Sequence, residues 1–146
     1  MGAARRIAGW LVALILLALP AAALASVVQM HGPIGKGAND AVVDMSAVIK
    51  KGKAVKVTRF TFANVPVACS GGSTYLTAVS DLFPHHMTVS KKGNFHGTVV
   101  VHAGRTTYVV TGHFKSTHKA TGTLHISGVA PGCLHGDSGI LHWSAK

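Results

Sequence analysis

From Asp40 onward, apolar and polar positions alternate in short runs broken by Gly, Pro, Asn or Lys, and no stretch sustains a helical period. Alternation rich in β-branched residues predicts strands at about Ala41–Ile49, Ala54–Asn64, Thr74–Val79, His85–Ser90, Asn94–His102, Thr106–Lys115, Ala120–Ser127 and Gly139–Ser144. Ala103-Gly104 suits a two-residue hairpin turn, which pairs His102 with Arg105 and fixes a register around it. Phe95, Val99, Val101, Tyr108, Val110 and Phe114 then share one face, and His96, Thr98, His102, Thr107, Thr111 and His113 share the other. Through the next turn, Ala120, Leu124 and Ile126 point inward and Thr121, Thr123, His125 and Ser127 outward. A meander with one wet face needs a second layer on its apolar side, for which the N-terminal strands and the Trp143 segment are available. The predicted fold class is all-β, an antiparallel β-sandwich, with a small closed β-barrel as the alternative.

The pattern changes before Asp40. Arg5-Arg6, the apolar run Ile7 to Leu19, Pro20 and the small residues around Ala23-Leu24-Ala25 follow the order of a secretory signal peptide, here residues 1–25 with cleavage after Ala25. An uncleaved anchor is the competing reading, because Ile7 to Ala25 is apolar throughout and approaches the ~20 residues that a membrane span requires. Ser26 follows the cut where a bacterial lipid anchor would need cysteine. Residues 26–39, with Gly32, Pro33, Gly35 and Gly37 among few large apolar side chains, are expected to form a flexible lead-in, leaving 40–146 as a single β-domain.

Charge adds a second layer to the picture. Lys and Arg number 14 against 4 acids, all of them aspartates (Asp40, Asp44, Asp81 and Asp137), and ten histidines hold further positive charge in reserve at acid pH. Such a surface favours polyanions, and it also keeps a protein soluble. A meander gathers alternate turns at one end of its sheet, so Lys91 and Lys92 are expected beside Lys115, His118 and Lys119 as a polyanion-binding patch. Lys50, Lys51 and Lys53 make a third basic turn whose place the sequence leaves open. The two cysteines, Cys69 and Cys133, are expected to form a disulfide in an oxidising compartment, which would restrict the unfolded chain by on the order of 4 kcal/mol.

Candidate chemistry is sparse. Gly136-Asp137-Ser138-Gly139 looks like the nucleophile loop of chymotrypsin-like proteases, but Leu134 and His135 separate it from Cys133, Ile140 stands where that family has glycine, and no segment resembles its histidine motif. A tight turn before the last strand is the expected role. Four scattered aspartates do not supply the paired carboxylates of a glycosidase, and no glycine-rich loop opens a helix after a strand to hold phosphate. The register brings His86, His96 and His113 onto one outward face at separations near ~7 Å, a candidate metal surface that lacks an orienting shell of acids. His102 and His125 fall elsewhere.

The order Val57…Phe60-x-Phe62, Cys69, Gly93-x-Phe95, Gly112-x-Phe114, Ala120-x-Gly122-x-Leu124, Cys133…Gly139…Trp143-Ser144-Ala145 resembles small exported β-domain proteins of high-GC actinobacteria, whose function is uncharacterised. The resemblance covers about Val55 to Lys146, implies an exported β-domain with paired cysteines, and transfers no catalytic residue. The expectation is a secreted, non-catalytic module without a cofactor, acting on anionic polymers at the cell envelope through lysine-rich turns. A histidine-based metal-binding protein is the alternative.

Overall fold

The computed structural model describes residues 24–35, 40–80, 86–101, 105–130 and 132–146. The expected signal-peptide core, Asp81, His85 and the His102-Ala103-Gly104 turn lie outside the described residues. Ten strands follow in chain order: β1 (Ser26–Pro33), β2 (Val42–Lys50), β3 (Lys53–Cys69), β4 (Thr74–Val79), β5 (Met87–Thr88), β6 (Asn94–Val101), β7 (Thr106–Ser116), β8 (Lys119–Ala130), β9 (Cys133–Asp137) and β10 (Leu141–Ala145). All their pairings are antiparallel, and they form one sheet in the order β1-β2-β3-β9-β8-β7-β6, with β4 and β5 on β3 and β10 on β8. The sheet is not closed into a barrel. It folds over so that β2 and β3 face β7, β8 and β10 across one core, and the short β9 stitches the halves together by pairing with both β3 and β8.

The meander has the anticipated register. Val101 lies opposite Thr106, Val99 opposite Tyr108, and Phe114 opposite Ala120. Phe95, Tyr108, Val110, Phe114, Ala120, Leu124 and Ile126 are buried, while His96, Thr111 and His113 are exposed. From the facing half come Val43, Met45, Val57, Phe60, Phe62, Val65 and Val67. Ring contacts tie the halves together: Phe60 meets Trp143 at 5.4 Å and Phe62 meets Tyr108 at 6.0 Å between centroids.

One row across the sheet explains two glycines, Gly112 and Gly122. Phe95, Gly112, Gly122 and Trp143 are successive cross-strand partners on β6, β7, β8 and β10. A Cβ at Gly112 would enter the Phe95 ring, and one at Gly122 would strike the Thr111 carbonyl, the Gly112 Cα and the Trp143 indole. Both rings therefore lie over backbone left bare, with centroids 6.1 Å apart.

Three segments correct the sequence-based expectations. Ser26–Pro33 is no flexible lead-in: it forms β1, paired with β2 from Ser26 opposite Ile49 to Pro33 opposite Val42. Its other side reaches the C-terminus through reciprocal backbone bonds between His31 and Lys146 (3.1 and 3.0 Å) and a bridge from Ile34 to Trp143. Gly32 is needed there because a Cβ would collide with the Ser144 carbonyl. Strand β3 does not stop at Asn64. That residue adopts a left-handed conformation (φ 57°), the register shifts between Phe62 and Val65, and the strand continues through Pro66 to Cys69 as a bulged ladder. The unforeseen β9 brings Cys133 to Cys69, and the two are joined as a disulfide with 5.5 Å between Cα atoms.

Candidate functional site

The sheet has two unlike ends, and the candidate site lies at the one where three lysine-bearing turns meet. Lys51-Gly52 connects β2 to β3 as a two-residue turn with both φ angles positive (49° and 70°), setting Lys50 opposite Lys53. Lys91-Lys92-Gly93 leads into β6. There the Gly93 N–H donates to the Ser90 carbonyl (2.9 Å), the Asn94 N–H donates to the Ser90 hydroxyl (3.0 Å), and Gly93 takes φ 84°. Thr117-His118 links β7 to β8 between Lys115 and Lys119, with the Thr117 hydroxyl on His118 Nδ1 at 2.9 Å.

Backbone bonds hold these turns against one another. The Val89 N–H donates to the Val55 carbonyl (3.1 Å) and the Phe114 N–H to the Gly93 carbonyl (3.0 Å), so the second turn is fastened to both halves of the sheet. Between the turns lies an open groove of about 370 Å³. Lys53, Lys91, Lys92 and Thr117 are at its rim, and Val55, Val89 and Phe114 form its floor. Lys91 and Lys92 thus stand where the sequence placed them. Lys115 and Lys119 occupy the shoulders of the third turn, whose Ser116 and Thr117 line the groove in their stead. The basic turn left unplaced is the one that closes the site, bringing Lys53 into its wall. A signal for it was present: Lys50-Lys51-Gly52 and Lys91-Lys92-Gly93 repeat the same three residues.

Seven of the 14 Lys and Arg residues therefore lie in or beside these turns. The described aspartates lie away from them. Asp44 is six residues along β2 from Lys50, about 20 Å at strand spacing, and Asp137 pairs with Ser127, eight residues along β8 from Lys119, about 26 Å. Asp40 precedes β2 and is further along the chain from Lys50 than Asp44. All these separations exceed the ~8 Å screening length of physiological salt, so no described aspartate neutralises the lysine end.

At the far end the polar groups bond to one another. His125 Nε2 meets Asp137 Oδ1 at 3.0 Å, and the Gly139 N–H donates to the same oxygen at 2.6 Å. These bonds, first the Gly139 amide and then His125, hold the Asp137 carboxyl below its ordinary range. The Ser138 hydroxyl accepts from the Ile126 N–H (2.9 Å) and donates to the Gly139 carbonyl (2.8 Å), so it serves the turn into β10. Gly139 itself has φ 63°. A second pair, His31 Nδ1 with Asp44 Oδ1 at 2.7 Å, joins β1 to β2.

Of the outward imidazoles, His96 and His113 are exposed on adjacent strands, and His113 Nδ1 is bonded to Asn94 Oδ1 at 2.7 Å. Among the described residues no three histidines, cysteines or acids come together as a metal site. No helix among them is long and apolar enough to cross a membrane. Comparison of the chain with protein-family models, with curated proteins and with solved structures gives no significant match.

Proposed function

We propose that the protein is an exported, non-catalytic binding module that holds anionic polymers of the cell envelope at its lysine end. The observation that carries this reading is the meeting of three turns from distant parts of the sequence around one groove, with their lysines exposed and the described aspartates remote. Lysine ammoniums are compact charges that retain phosphate- or carboxylate-rich chains without demanding one geometry. The disulfide is compatible with an oxidising compartment. Cleavage after Ala25 would add an α-ammonium at the same end, since Ser26 lies opposite Ile49, next to Lys50.

Retention on an anionic matrix tests the proposal. The purified protein is expected to bind at low salt and to elute progressively as salt rises, and replacement of Lys53, Lys91, Lys92, Lys115 and Lys119 by Gln is expected to lower the eluting salt sharply. Elution unchanged by those substitutions would refute the site.

A further inference from the structure

The groove holds more than charge. Its floor is apolar: Val89 and Phe114 are 8% and 9% exposed and Val55 is half-buried, and all three line an opening into which the adjoining lysines can direct an anion. A hydrophilic polyanion uses only the rim of such a place. At about 370 Å³ the opening lies within the range of small-ligand sites, which combine apolar walls with a few convergent polar groups. Phe114 is also fixed from behind, with its ring 5.5 Å from that of Phe95 and its N–H bonded to Gly93, so the floor is already formed before a ligand arrives. Preorganisation of this kind removes part of the ordering cost of binding.

We infer that the preferred ligand is an anionic amphiphile, an alkyl or acyl chain bearing a phosphate, whose head group sits among Lys53, Lys91 and Lys92 and whose apolar portion lies on Val55, Val89 and Phe114. This inference rests on the reading of the lysine end as an anion-binding site and adds the apolar half of the ligand to it. Charge complementarity selects the occupant: an uncharged apolar ligand would leave three ammoniums unanswered, and a bare phosphate would leave the floor wet.

Calorimetric titration with butyl, hexyl and octyl phosphate, each below its aggregation concentration, and with octanol as the uncharged control, tests the idea. Affinity is expected to rise about fourfold per added methylene, on the order of 200-fold from butyl to octyl, with octanol binding far more weakly than octyl phosphate. Lys53→Gln, Lys91→Gln and Lys92→Gln together are expected to weaken all three phosphates by a similar factor and leave the dependence on chain length intact. Val55→Thr keeps the shape of the side chain, and it is expected to flatten that dependence while retention on an anionic matrix persists. Equal affinity for butyl and octyl phosphate, with matrix retention preserved, overturns the amphiphile and leaves the anion site standing. Octanol binding as tightly as octyl phosphate also overturns it. Loss of both matrix retention and alkyl phosphate binding in the unaltered protein brings down both proposals.

Discussion

The two ends of the sheet use polar residues in opposite ways. At the disulfide end, Asp137, His125, Ser138 and Gly139 bond to one another, and Cys69 is tied to Cys133, so the polar and sulfur atoms there answer each other within the protein. The lysine end leaves its ammoniums exposed around a groove, while backbone bonds and the Ser90 and Thr117 hydroxyls hold the turns that carry them. One end closes the fold and the other faces outward. The teaching is that a histidine, a serine or an aspartate in a suggestive motif can be fully occupied by structure, whereas bland turn lysines can be the unanswered groups.

This contrast can be broken from either end. The largest effect is expected from replacing Cys69 and Cys133 by Ala, which removes the clamp between β3 and β9 and should cost about 4 kcal/mol in denaturant unfolding. Matrix retention of the folded fraction should survive it, because the lysine turns are held by other bonds. Gly122→Ala comes next. The methyl has nowhere to go between the Thr111 carbonyl and the Trp143 ring, so a loss of about 3 kcal/mol is expected, with a changed tryptophan fluorescence.

Lys51→Asn should act in the other direction. Lys51 has a left-handed backbone that costs a lysine about 1 kcal/mol, and Asn-Gly is the favoured pair for this turn. A rise in melting temperature together with weaker matrix retention would show that the lysine is kept at the expense of stability. The smallest change is expected from Asp137→Asn. A carboxyl whose pKa is lowered by folding stabilises the protein above the ordinary carboxylate range, and that contribution disappears as pH falls through the lowered value. The variant should therefore melt slightly below the parent at pH 6, and the two curves should converge in strong acid. Because Asp137 is exposed, the gap at pH 6 should be small.

The meander from β6 to β8 was legible because its residues obey a strict two-residue period around a short turn, so a single pairing settles every inward and outward position. Strand β1 was not, because Gly32 and Pro33 read as a loop in sequence, and the reason for Gly32 is a carbonyl more than a hundred residues away. Asn64 and Pro66 gave the signal of a strand end where the backbone only bulges and continues. The five residues of β9 have their buried positions at Cys133 and Gly136, a spacing that shows no alternation. Lys91 and Lys92 were found through meander geometry. Lys53 escaped because the hairpin carrying it belongs to the other half of the sheet, and only the fold-over brings that hairpin across the core.

The bonds between His31 and Lys146 cover the outer edge of β1. A strand edge left bare is a template for any other extended polypeptide nearby. Deleting Leu141–Lys146 should therefore favour aggregation of the protein, even though those residues lie far from β1 in sequence.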